Sequence, residues 1–346
     1  ALNQWAFTYD QALVAQAYTI FGDIEKAQGI FNFFGRSIKQ DSRFNGFVNA
    51  YYANSGDVAE YMIHSGPNIW LGIAVLQYTK ATDDSRYLPI AIKIADWLIS
   101  IQDQDRQGGI RGGPNVRWFA TEHNLDAFAF FNMLYKITKD AEYELASKKV
   151  LIWLDTHAYD RPDPPVKRGK GDATIATDTY AWSIAAVGPS RLKSLGMNPD
   201  EILEFAIENC EVTVNYQRPD GKLVRVRGFD FAKYRNLPRG GIVSSEWTAQ
   251  MIVSFKIMSE FHKQQKDYIK AKEYSKKVED CLNELGKLII SSASPTGQGE
   301  GCLPYATAEN IDTGHGWRTP FGNKTGSIAG TAYAIFAYRG YNPLDM

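Results

Sequence analysis

Six segments of the chain open with a few polar or turn-forming residues and run on as apolar stretches with helical period. They begin near Thr8 (TYDQALVAQAYTIF), Gly66 (GPNIWLGIAVLQYT), Thr121 (TEHNLDAFAFFNMLY), Thr177 (TDTYAWSIAAVG), Ser244 (SSEWTAQMIVSF) and Gly326 (GSIAGTAYAIFAY). The first four starts lie 58, 55 and 56 residues apart, and the next two gaps widen to 67 and 82. Spacing of this kind marks a helical repeat. It predicts nearly all-round apolar, buried helices over 8–21, 66–81, 121–137, 177–188, 244–262 and 326–338.

Between them runs a second, more charged set. Asp84, Tyr87 and Trp97-Leu98 recur 56 residues later as Asp140, Tyr143 and Trp153-Leu154. Looser copies span 23–34, 199–210 and 268–282. Each pairs an apolar face with a lysine- and glutamate-rich one, the pattern of a helix with one side in water. Six buried helices alternating with five half-exposed ones predict an all-α chain, an (α/α)6 toroid of inner and outer helices forming a single domain over 1–346. An open solenoid of helix hairpins is the competing arrangement.

Connection lengths add a direction. Links from inner to outer helix are short, as at Gly22-Asp23 and Thr82 to Ser85. Links from outer to inner helix are long: 38–65, 103–120, 159–176, 215–243 and 292–324. Long loops in a compact fold are commonly functional, and every one of these leads into an inner-helix start. The inner-helix starts are therefore the expected location of a site.

Those starts carry unusual side chains. Trp5, Trp70, Trp118, Trp182, Trp247 and Trp317 all lie close to one. Flat apolar rings beside polar groups suit the CH faces and hydroxyls of sugars, although each Trp taken singly fits core packing equally well. Carboxylates stand at Asp10, Glu122, Asp126, Asp178 and Glu246, with Asp230 and Asp312 in long loops. A carboxylate in a first turn is commonly a cap or a dipole partner, and that accounts for Asp10 and Asp178. Glu122 and Asp126 are four apart, share a helix face and precede the apolar run Ala127-Phe128-Ala129-Phe130-Phe131. Glycoside hydrolysis needs two carboxyls. Glu122 is the expected acid, kept protonated by Asp126; Asp178 and Glu246 are the expected bases, with Asp10 behind them, in an inverting reaction. His64, His123 and His315 fall at the same starts and offer a second chemistry, proton removal beside a sugar carbonyl. Arg239 in PRGGIVSSEW is placed to hold an anion or orient Glu246. Asp312-Thr-Gly-His315-Gly-Trp317-Arg318 is expected to line the cleft.

The net charge of −1 and the absence of a basic stripe argue against nucleic acid as partner. No apolar run reaches the ~18 residues of a membrane span. Cys210, Cys281 and Cys302 are scattered, and no HxxxH, HExxH or CxxC spacing occurs, so free thiols and neither metal nor cofactor are expected. Beginning at Ala1 with no leader, the chain fits either a mature secreted or periplasmic protein or a trimmed sequence, and a monomer is expected. Asn323-Lys-Thr matches a glycosylation sequon.

TYDQA, GPNIWLG, TEHNLDAFAF, ATDTYAW, SSEWTAQM and DTGHGWRTP, taken with the repeat, resemble the six-hairpin glycosidase superfamily across residues 5–340. The strings are similar to those of secreted bacterial glycosidases. The resemblance implies a carbohydrate-active enzyme, and the two-carboxylate reading makes the leading expectation a glycoside hydrolase of a β-glucan-like polysaccharide or oligosaccharide. It transfers no residue roles. An epimerase of the same toroid, a polysaccharide lyase using Arg111, Arg117, Arg239 or Arg318, and a non-catalytic glycan binder remain as alternatives.

Overall fold

The structure, a computed structural model, describes residues 4–40, 44–159, 163–291, 299–321 and 325–346. Asn323 of the sequon lies outside them. The chain divides into two compact units, residues 1–158 with 169–171 and 343–346, and residues 159–168 with 172–342.

The first unit holds three helix hairpins. Inner α1 (Thr8–Phe21), α3 (Ser65–Thr82) and α5 (Thr121–Thr138) are followed by outer α2 (Ile24–Gln40), α4 (Leu88–Gln102) and α6 (Ala141–Trp153). The inner helices pack in a row, α1 on α3 and α3 on α5, and each packs on its own outer helix. Side chains tie the row together. Tyr9 meets Trp70 edge-on at 5.8 Å, and the Trp70 indole N–H donates to Asp126 Oδ2 at 2.8 Å. A small antiparallel sheet of β1 (Trp5–Phe7), β2 (Ala50–Tyr52) and β3 (Val58–Glu60) edges the long loop before α3. The carbonyls of Pro343 and Asp345 both accept from Gln77 Nε2, which fixes the last residues to this unit.

The second unit has inner α7 (Thr177–Trp182), α10 (Ser245–Gln264) and α12 (Ile328–Arg339), with α10 touching both of the others. Its outer helices are α9 (Pro199–Cys210) and α11 (Tyr268–Gly286). Two features depart from expectation. The helix foreseen over 177–188 is α-helical only to Trp182, continues as a π turn over Ser183–Val187, and is followed by a short α8 (Pro189–Ser194). Gly188, at φ 84°, and Pro189 explain the stop. The long loop after α9 contains a hairpin, β4 (Glu211–Gln217) paired with β5 (Leu223–Phe229) from Glu211↔Phe229 to Gln217↔Leu223.

The outer helices α6, α9 and α11 are capped by Asx side chains, as where Asp140 Oδ1 accepts from Glu142 N. Inner helices α1, α3, α5 and α7 follow Phe7, His64, Ala120 and Ala176 and have no side-chain cap. In α1, α3 and α7 the first residue instead holds the loop that leads to the next inner helix. Thr8 donates its N–H to Asn49 O and its hydroxyl to Val48 O. Ser65 donates in the same way to Gly112 O and Arg111 O, and Thr177 to Phe231 O and Asp230 O. These hydroxyl residues are fully buried. Asn68 and Asn124, in the first turns of α3 and α5, add a second clamp, on Phe47 and on Ile110 of the incoming loops. The repeat is thus a hydrogen-bonding device as well as an apolar pattern: it ties long loops rigidly to inner-helix starts.

The inner helices α3, α5 and α10 are buried along most of their length. By contrast α1 buries one face, and Phe21 at its end is exposed. No described helix is long and apolar enough to cross a membrane.

Candidate functional site

The most organised group of chemical side chains in the first unit gathers at the starts of α3 and α5. His123, in the first turn of α5, is buried, and its Nδ1 lies 2.9 Å from Ser65 Oγ. The Ser65 hydroxyl has one proton, and the Arg111 carbonyl at 2.8 Å takes it. His123 must therefore donate from Nδ1, which leaves Nε2 as a lone pair. Burial pushes the imidazole down to about 4, so it stays neutral in this tautomer. The bare Nε2 lies 3.7 Å from Glu122 Oε2, beyond a direct hydrogen bond but within reach of one bridging oxygen. Glu122 remains partly exposed.

Trp118 covers this pair. Its ring centroid is 5.4 Å from that of His123 and 5.9 Å from that of His64, and 47% of its surface is exposed. His64, at the residue before α3, is held by Asn49 Nδ2 at 3.1 Å from its Nδ1. Burial, then the neighbouring His123, lower its proton affinity, opposed by Glu60. Two glycines are required by this packing. A Cβ on Gly112 would stand 2.2 Å from the Trp118 ring, and one on Gly66 would stand 2.5 Å from His123 Nε2.

Asp10, in the first turn of α1 in the same unit, is half-buried, and burial alone pushes its carboxyl up to about 6. The positive end of a helix opposes this by ~0.3–1 kcal/mol, less than one pKa unit, so desolvation wins. The sign for stability follows. A raised carboxyl pKa favours the fold below the unfolded value and loses that contribution as pH rises through about 6. Asp10→Asn is expected to raise stability by on the order of 2 kcal/mol above pH 7 and to change it little near pH 4. Chemical denaturation at the two pH values measures this, and equal effects at both would refute the buried-carboxyl reading.

The other expected residues fall less simply. Trp70 and Trp182 are 0% and 1% exposed, so they pack the inner helices and do not present stacking faces. Asp126 is also fully buried under the Trp70 hydrogen bond, at a different depth from Glu122. Arg239 does not await an anion. Its guanidinium forks onto both Asp230 oxygens at 2.7 and 2.8 Å and also donates to the Asp312 carbonyl. Asp312 is exposed and caps its own turn by accepting from Gly314 N. Asp178 is the second residue of α7, and its Oδ1 accepts from the adjacent Thr179 N at 2.8 Å. Glu246 and Trp247 are buried at the start of α10. His315 and Trp317 share one loop of the second unit with ring centroids 5.5 Å apart. An open groove of about 530 Å³ lies at the short α10–α11 link, lined by Lys263, Tyr268 and Lys272 among others. Among the described residues no group of three His, Cys, Asp or Glu side chains could hold a metal ion.

Ser65, Asn49 and Gly112 were not singled out from the sequence. The available signal was the hydroxyl residue recurring at 8, 65, 121, 177 and 245.

No protein-family model matches the chain, and no curated protein matches it in sequence. Solved structures do. A family 76 α-mannanase of Bacteroides thetaiotaomicron is 15% identical with a TM-score of 0.61, covering 96% of this chain and 87% of its own. A cellobiose 2-epimerase of Spirochaeta thermophila is 13% identical at TM-score 0.63, covering 99% and 87%. An α-amylase of Clostridium perfringens is 12% identical at 0.57, covering 97% and 87%. At these identities the likeness shows the fold, that of the (α/α)6 toroid, which hosts glycoside hydrolases and sugar epimerases alike.

Proposed function

We propose that the protein is a glycoside hydrolase acting on a neutral polysaccharide or oligosaccharide, with Glu122 as the proton donor. The observation that carries this is the Glu122–His123 pair. A neutral imidazole turns its lone pair toward a partly exposed carboxyl, beside a tryptophan face open to solvent. Through one bridging oxygen, the lone pair at 3.7 Å accepts from protonated Glu122 and so orients the acid, whereas an N–H there would favour the ionised carboxylate. Asp10 is the second carboxyl. Raised to about 6, it is a stronger base than an ordinary carboxylate and still ionised at pH 7. Neighbouring helix axes are ~8–10 Å apart, and α3 lies between α1 and α5. Carboxyls carried by helices that are not neighbours suit the wider ~6.5–9.5 Å spacing of inverting enzymes better than the ~5–5.5 Å of retaining ones.

The deciding experiment is release of reducing ends from β-glucan, α-mannan and α-glucan, with product anomer followed by NMR. Inverted product is expected, and turnover should rise with pH through about 6 as Asp10 ionises. Retained configuration would remove Asp10 from the base role. Falling turnover above pH 6 would make Asp10 the acid.

One observation favours a second reading, sugar epimerisation. His64 and His123 both touch the Trp118 ring and are both held neutral, as bases for a proton beside a carbonyl must be. That reading requires unchanged chain length and uptake of solvent deuterium at the epimerised carbon.

A further inference from the structure

His315 has a nitrogen with no partner among the described residues. Its Nε2 lies 2.8 Å from the Phe231 carbonyl. A carbonyl only accepts, so Nε2 carries the proton and Nδ1 is the lone pair. Nδ1 is buried and unsatisfied. The residue is 7% exposed, and burial first, then Arg168, push it down to about 4 against the pull of the Phe231 hydrogen bond, Asp172 and Asp230. Protonation does not relieve the orphaned acceptor near neutral pH. An incoming donor does.

Aromatic rings surround His315. Trp247 and Trp317 flank the imidazole at 5.6 and 5.5 Å, and Trp317 is 40% exposed. Phe231, stacked on Tyr305, closes the inner side. The loop is fixed at both edges. Asn310 and Thr319 exchange hydrogen bonds with Thr319 and Ile311, and Thr313 donates both its N–H and its hydroxyl to Trp317 O. Gly314 and Gly316 take positive φ of 86° and 91° to make the turn. Arg168, paired with Asp172, donates to the His315 carbonyl.

We infer that this loop is a saccharide subsite of the second unit, in which Trp317 supplies the stacking face and His315 Nδ1 accepts a hydrogen bond from one sugar hydroxyl. An acceptor buried between aromatic rings selects an O–H donor over a carboxylate, so the ligand is a neutral pyranose. The inference rests on the carbohydrate reading above and not on hydrolysis.

The test is equilibrium binding of mannohexaose, cellohexaose and maltohexaose by calorimetry and tryptophan fluorescence, in the Glu122→Gln background so that nothing is consumed. His315→Gln keeps an amide near Nε2 to donate to Phe231 O and removes the Nδ1 acceptor. It is expected to weaken binding roughly 3–10-fold, with His315→Asn, whose Oδ1 takes the Nδ1 position, recovering part of the loss. Trp317→Phe should abolish the fluorescence change on binding, and Trp317→Ala should weaken binding roughly 10-fold. Trp317 is exposed, so its variants keep the test independent of folding. Unchanged affinity in His315→Gln means that water satisfies Nδ1 and overturns the inference while sugar turnover by the parent protein still stands. A parent that neither binds nor turns over any of these sugars overturns the carbohydrate reading itself.

Discussion

Glu122→Gln is expected to cut turnover of an unactivated glycoside by roughly 10²–10⁴-fold, the usual contribution of general acid assistance. The amide keeps the shape and one hydrogen-bonding oxygen but has no proton to give. Its NH₂ can still reach the Nε2 of His123 through the same bridging oxygen, so the first turn of α5 should keep its geometry and saccharide binding should survive. Aryl glycosides with good leaving groups need little protonation and should lose far less. The comparison of the two substrates separates proton donation from a positioning role. Equal losses on both, or loss of binding together with turnover, would remove Glu122 from the donor role.

This prediction began as a reading of residue order, and the structure altered its grounds. The sequence placed Asp126 beside Glu122 because they share a helix face. The structure brings His123 to 3.7 Å from Glu122, and the protonation of His123 depends on Ser65, a residue with no chemical signature of its own. Tautomers are legible only once donors and acceptors can be counted in space. The inner helices were legible because apolar runs with a fixed repeat leave few alternatives; α1 was expected over 8–21 and spans Thr8–Phe21. Depth was less legible. Trp70 and Trp118 looked equivalent by position, yet Trp70 lies inside α3 and faces the helix row, whereas Trp118 stands in a loop that stays at the surface. The β4–β5 hairpin did have a signal, alternation in Val212-Thr-Val-Asn-Tyr216 and Leu223-Val-Arg-Val-Arg227 around Pro219-Asp-Gly221. The length of the loop hid it.

The second large effect lies in the loop before α10. Asp230 is 0% exposed and the Arg239 side chain 9%, so the pair is buried. Asp230 also accepts from Ala232 N and Ile242 N, so one carboxylate holds both ends of residues 230–242. Arg239→Met leaves that carboxylate buried without its cation and is expected to cost about 3–5 kcal/mol. Replacing both partners, Asp230→Leu with Arg239→Met, removes the uncompensated charge, and the double variant should cost clearly less than the sum of the singles. Denaturant midpoints of the four proteins measure the coupling. A cost below ~1 kcal/mol for Arg239→Met would mean that the pair behaves as a solvent-screened surface bridge. The effect should reach the sugar subsite, because Asp230 precedes Phe231, whose carbonyl fixes the His315 tautomer. Arg239→Met should therefore weaken saccharide binding at Trp317 even under conditions where the protein is fully folded, and the double variant should share that loss although it regains stability. Stability and binding then part company, as expected if Arg239 acts on the ligand only by holding the loop.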